Sequence, residues 1–347
     1  MLGRSILLAA TNTAIPGFGT KYANPSTLPT GIGFDVAFSP SNTAIAVAHG
    51  TSPFISVYPW SSVSGFGSKY ANPATLPTGT GNGVAFSPAS DAIAVAHVTS
   101  PFISVYPWSV SGFGTKYANP ATLPTGVGYS VAFTSSGNAI AIAHGTSPFI
   151  SVYPWSVSGF GTKYANPSTL PGLEGYGVAF TSSGDAIAVA HFGSPLDSVY
   201  PWSVSGFGSK YTNPSTLPTG NPFGGATFTS SGDAIAVAHD TSPFISVYPW
   251  SSVSGFGSKY TNPSTLPAGN SRDVAFTPSG DAIAVAHFGS PFISVYPWSV
   301  SGFGTKYANP STLPADNGEG VAFSPSGDAI AVAHPLSPFI TVYQWNN

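Results

Sequence analysis

Seven histidines, His49, His97, His144, His191, His239, His287 and His334, recur at intervals of 47 or 48 residues. Imidazole is the commonest protein metal ligand and general base, so a ring of seven is the first chemistry to weigh. Neighbouring strands lie about 4.8 Å apart, which puts a second strand roughly 11 Å from a central axis and adjacent copies roughly 10 Å from one another. A single ion bonds its ligands at about 2 Å, so the spacing excludes one shared metal. Each histidine is expected to be structural, bonded to a loop Ser, Thr or backbone group. Seven lysines, Lys21, Lys69, Lys116, Lys163, Lys210, Lys259 and Lys306, keep the same beat. They are expected in a fourth, outer strand, where lysine blocks edge-to-edge sheet addition. The Gly-Phe-Gly segment before each lysine lacks the Gly-Lys-Ser/Thr ending of a phosphate loop. The recurring Asp91, Asp185, Asp233, Asp281 and Asp328 have the spacing of hairpin turns and no neighbouring carboxylates for calcium.

An active site breaks a repeat by placing an acid, base or nucleophile in one copy. Two places break it: Leu196-Asp197, where the other copies have Phe-Ile, and Ser271-Arg272-Asp273. Neither has a histidine or second carboxylate at a readable spacing, so no enzyme activity, cofactor or metal is expected. There is no Cys, which removes disulfides and thiolate chemistry. With 9 basic and 12 acidic residues and a net charge of −3, the chain lacks the cationic excess that neutralises a nucleic-acid backbone. The run Ile6-Leu7-Leu8-Ala9-Ala10 is too short for a membrane span and thin for a signal-peptide core.

Trp60, Trp108, Trp155, Trp202, Trp250, Trp298 and Trp345 mark seven units of about 48 residues with four short apolar runs each. Val321 to Ser324 and Ala329 to His334 flank a Pro-Ser-Gly-Asp hairpin turn, where Gly takes the positive φ the turn needs. In the third run, Phe102 to Trp108, Ile103 and Val105 alternate with Ser104, Tyr106 and Trp108. The fourth extends from Phe113 to Tyr117. Alanine alternating with Ile or Val in the second run predicts a strand buried on both faces, with Ala permitting close approach. The pattern predicts an all-β, seven-bladed β-propeller with four antiparallel strands per blade. Gly17 to Ala23 is a fourth-run copy, whereas the sequence stops after a third run at Trp345, so the N-terminal strand is expected to complete the C-terminal blade. Residues 17–347 form the propeller in this reading, and residues 1–16 are an extension that can serve as a docking peptide for a particle or scaffold partner.

From Gly17 to Trp345 the chain resembles the WD-repeat and YVTN-type β-propellers, of the near-identical-repeat kind found in phage-like genomes. The resemblance rests on Val-Ala-Phe-Ser-Pro-Ser-Gly-Asp-Ala-Ile-Ala-Val-Ala-His followed by a Val-Tyr-x-Trp strand. Trp is followed by Ser or Asn instead of Asp, and His ends the second strand, so the usual polar network of those families is not implied. A binding scaffold is implied.

Differences among the copies cluster in the fourth-to-first connection and in the segment after each histidine, two places that an up-and-down blade puts on one face of the disc. That face is expected to bind through Phe34, Tyr129, Tyr176, Phe192, Phe223 and Phe288, with Asp35, Glu174, Asp240, Asp273, Asp316 and Glu319 and the single Arg272. Aromatic faces suit proteins and sugars, and carboxylates accept sugar hydroxyls or pair with a basic surface. The sequence therefore reads as a non-enzymatic recognition or structural module, an exposed component of a virion or other extracellular assembly. A multivalent carbohydrate-binding lectin and an intracellular protein-interaction hub are the alternatives.

Overall fold

A computed structural model describes residues 16–223 and 225–346. The expected docking peptide lies, apart from Pro16, outside the described residues. Seven four-stranded antiparallel sheets are arranged as the blades of a seven-bladed β-propeller, six of them running in chain order from the axis outwards and the seventh taking its outermost strand from the N-terminus. Blades 1 to 7 begin with the inner strands Gly33–Phe38, Gly81–Phe86, Gly128–Phe133, Gly175–Phe180, Ala226–Phe228, Ser271–Phe276 and Gly320–Phe323. The N-terminal strand Gly17–Lys21 closes the ring by pairing with Ile340–Asn346, with Gly17 opposite Asn346 and Phe18 opposite Trp345.

The Ala/Ile alternation of the second strands dictates how blades meet. Ala44, Ala46 and Ala48 of blade 1, with Ile55 and Val57 beside them, face Val84, Phe86, Ile93, Val95, Tyr106 and Trp108 of blade 2. The same arrangement seals blade 7 against blade 1. Small methyls on one face let the larger side chains of the next blade approach, so every second strand is buried on both sides as its sequence requires. Each tryptophan closes the outer part of an interface: Trp60 meets Tyr22, Phe38 and Phe66 edge-on, with ring centroids 4.9, 5.2 and 5.4 Å away. Each third-strand tyrosine is fully buried and its hydroxyl is satisfied by a backbone carbonyl; Tyr58, for example, donates to Thr27 O at 2.8 Å.

One local expectation is corrected and one is extended. Outside the closing blade the outer strand is two residues long, as in Gly65–Phe66. Gly67 N still donates to Pro59 O at 2.8 Å, after which the chain departs and rejoins the third strand at Tyr70, whose N–H donates to Val57 O at 2.9 Å. Six of the lysines therefore lie beyond the outer strand, with Lys21 alone inside one. Each lysine donates to the Asn three residues later, bracing this irregular return in addition to placing charge at the rim. The histidines have partners on the third strand as well as in the following loop: His49 Nε2 meets Ser56 Oγ at 3.0 Å, and Ser104, Ser151, Ser198, Ser246, Ser294 and Thr341 repeat the contact, while Nδ1 of His191, His239 and His287 meets the carbonyl oxygens of Phe192, Thr241 and Phe288 at 2.9, 2.8 and 3.1 Å. The turn aspartates behave as their spacing suggests, with Asp233 accepting from Thr229 Oγ1 at 2.7 Å.

Candidate site at the axial mouth

The inner strands enclose an axial cavity of about 680 Å³ that opens among the varied residues. Five of these strands start with a β-bulge centred on Phe34, Asn82, Tyr129, Tyr176 and Arg272. A bulge places one extra residue outside the ladder and re-aims its side chain. Here it brings one residue per blade to the mouth. In blade 5 the connection is longer, the inner strand starts only at Ala226, and Phe223 takes the corresponding place. Glu319 does so in blade 7.

The aromatic residues form an arc on one side of the mouth. Tyr129 and Tyr176 stack, with centroids 4.4 Å apart and planes 27° from parallel. Phe192 meets Tyr176 edge-on at 4.9 Å and Phe223 at 5.2 Å. The arc continues into Arg272, whose guanidinium carbon lies 4.5 Å from the Phe223 centroid and 4.4 Å from that of Phe288. Glu319 Oε2 is 3.6 Å from Arg272 Nε. Burial raises the Glu319 carboxyl above the ordinary range, while the Arg272 charge opposes that rise. Burial also raises Tyr176, reinforced by Tyr129.

Most of the expected acidic groups are committed elsewhere. Asp35 Oδ1 accepts from Val36 N at 2.7 Å and Oδ2 from Val84 N of the next blade at 2.8 Å. Asp273 repeats this with Val274 N at 2.8 Å and Val321 N at 2.9 Å. The carboxylates thus bridge neighbouring blades. Glycine makes the bridges possible, because a Cβ at Gly225 would lie 2.4 Å from Asp273 Oδ1 and one at Gly320 2.9 Å from Asp35 Cα. Burial raises the pKa of both aspartates, and the nearby Asp35 charge raises Asp273 further. Asp240 Oδ1 accepts from Asn221 N at 2.8 Å, and Asp316 Oδ1 from Asn317 N at 2.8 Å. Phe34, Asp35, Tyr129, Tyr176, Phe223, Arg272, Asp273 and Glu319 line the cavity, with Phe192 and Phe288 packed behind. Glu174, Asp240 and Asp316 do not line it.

Asp35→Ala is expected to orphan the Val36 and Val84 amides and lower unfolding stability by roughly 2–6 kcal/mol, from about 1–3 for each unsatisfied buried group. Denaturant titration checks this; an unchanged midpoint and slope would show that water replaces the carboxylate without loss.

Asn82 and Ser130 also line the mouth and were missed. Asn82 Nδ2 donates to Gly128 O at 2.9 Å, and Ser130 Oγ accepts from Val178 N at 3.4 Å. Their signal was positional: Asn82 occupies the column of Phe34 and Tyr129, and Ser130 that of Asp35 and Asp273.

No protein-family model matches the chain, and no curated protein matches it in sequence. Among solved structures it is similar to a chain of Kuenenia stuttgartiensis hydrazine synthase, with a TM-score of 0.68 at 12% identity over 92% of this chain and 97% of that one. The likeness is one of fold. The protein is a seven-bladed propeller of near-identical repeats.

The other break in the repeat, Asp197, is away from the mouth. It occupies the position of Ile55, Ile103, Ile150, Ile245, Ile293 and Ile340, opposite Ala190 in the ladder. It is 1% exposed, and neither carboxylate oxygen has a hydrogen-bond partner among the described residues. Burial pushes its pKa up to about 7, with the Lys210 charge opposing the rise. This is a buried polar side chain at an interface between blades, in a position that the other copies fill with isoleucine. Among the described residues no group of three or more His, Cys, Asp or Glu is placed to hold a metal ion.

Proposed function

We propose that this ring is a non-enzymatic recognition module that takes its ligand at the axial mouth. The arc from Tyr129 to Arg272 carries the reading, because it joins stacking surface to a cavity within the roughly 300–1,000 Å³ range of small-ligand sites. Carbohydrate is favoured over a basic protein partner. Asp35, Asp240, Asp273 and Asp316 spend carboxylate oxygens on backbone amides and leave little acidic surface for a cationic partner. Tyr176→Ala is expected to weaken binding to a panel of neutral and acidic oligosaccharides by about tenfold, the size of one lost aromatic contact with its buried area. Calorimetry on array-positive sugars checks it, and equal affinity in the variant would move the ligand off this site.

The kinship proposed is with WD-repeat and YVTN-type propellers, supported by the blade plan and the Ser-Pro-Ser-Gly-Asp hairpin. The setting proposed is an exposed component of a virion or other extracellular assembly, supported by the low charge and near-identical blades. In sedimentation of source material the protein is expected to travel with large particles through a salt wash. Migration near its 35.3 kDa monomer mass would remove that setting.

A further inference from the structure

Arg272 is the only arginine among the described residues, and it is held in an unusual way. Phe223 covers one side of the guanidinium at 4.5 Å and Phe288 is 4.4 Å from it, so two aromatic rings restrict its rotation. Its Nε is buried without a hydrogen bond among the described residues, and the nearest carboxylate oxygen, Glu319 Oε2, is 3.6 Å away. Neither Nη makes a hydrogen bond to a described residue, and neither is among the buried unpartnered atoms. Arg272 also lines the axial cavity. A guanidinium held by flanking rings, with its outer edge open, has lost the rotamer entropy that anion binding normally costs. Its fork matches a carboxylate in a bidentate fashion.

Glu319 beside it is an acceptor and would repel a bare anion. Side by side, the two groups suit a ligand that presents a carboxylate next to hydroxyl donors. The Phe223–Tyr176–Tyr129 arc then offers stacking surface for the ring that bears them. That combination is a sugar acid. We propose that the mouth binds an acidic glycan, a uronic- or sialic-acid class sugar, with its carboxylate on Arg272, its adjacent hydroxyls on Glu319 and its ring against the aromatic arc. This rests on the mouth being the ligand site.

The test is calorimetry with trigalacturonate and 3′-sialyllactose against their neutral counterparts, the fully methyl-esterified trigalacturonate and lactose. At least one acid is expected to bind at least tenfold tighter than its neutral counterpart. Arg272→Gln should reduce the acid to the affinity of that counterpart. Arg272→Lys should recover only part of the difference, because a single ammonium does not reproduce the planar fork. Phe288→Ala, which leaves the charge in place and loosens its support, should give an intermediate loss and guards against misreading an Arg272 variant that folds poorly. Equal binding of acids and neutral sugars, abolished by Tyr176→Ala, would overturn the acidic-glycan proposal and leave the mouth as the site. Binding of neither acid would overturn the proposal outright, and neutral binding unaffected by Tyr176→Ala would overturn the site reading with it.

Discussion

Acidification from pH 7 to pH 4 is expected to unfold the protein cooperatively. All seven histidines are fully buried. Burial lowers their pKa values, from 6.5 to about 4 for His49, His97, His144, His239, His287 and His334, and His191 moves in the same direction. A base whose folded pKa is depressed contributes stability that is fully present above its unfolded value near 6.5 and is lost as pH falls through the folded value near 4. Each such imidazole costs about 3 kcal/mol over that window, and six together cost roughly 20 kcal/mol, more than the ~5–15 kcal/mol stability of a typical domain. Asp35, Asp197 and Asp273 act in the opposite sense, since burial raises their pKa values, and return roughly 10 kcal/mol over the same window, so the net loss of about 10 kcal/mol is still the size of a typical domain's whole stability. Tryptophan fluorescence and far-UV circular dichroism should therefore change together between about pH 6.5 and pH 4. A native spectrum at pH 4 would mean that the imidazoles take up protons without leaving the blade interfaces.

Asp197→Ile is the stabilising counterpart. It restores the residue found in the other copies and replaces a carboxylate whose oxygens are both unpartnered. With a folded pKa of about 7 against an ordinary 3.8, the aspartate is tolerated best when protonated, and stability drains away as pH rises through 7. Removing the ionisation penalty is worth about 4 kcal/mol at pH 8.5 and about 2 kcal/mol at pH 5.5. Chemical denaturation at the two pH values checks both the gain and its slope. Asp197→Asn should flatten the pH dependence while leaving a buried polar group unpaired, and so recover less of the stability. If Asp197→Ile is neutral or destabilising at pH 8.5, the carboxylate has a counter-charge that holds the seam together.

The blade plan was legible because period, chain-end phase and Ala/Ile alternation are one-dimensional signals that a closed ring of sheets reproduces directly. The short outer strand was not. Phe113 to Tyr117 reads as a strand, but the regular strand ends at Phe113, Gly114 makes one more bond to Pro107 O, and the Lys116 side chain bonds forward to Asn119. The mouth was half legible. Variation located Phe34, Tyr129, Tyr176 and Arg272, whereas their convergence depends on β-bulges that sequence alternation does not register. The bonds that Asp35 and Asp273 make were not legible, because nothing in the sequence says that they reach amides on the next blade. Asp197 was noticed as a substitution, but its meaning depends on the packing between blades.

The closing strand Gly17–Lys21 carries the same Gly-Phe-Gly-Thr-Lys as Gly112 to Lys116, Gly159 to Lys163 and Gly302 to Lys306, and the edge it joins is framed by the same Tyr and Trp as every other third strand. The latch thus bears no address. Recombination between repeats that inserted or excised one whole unit would leave both ends of the latch intact, so the gene can vary its copy number without first inventing a new way to shut the circle.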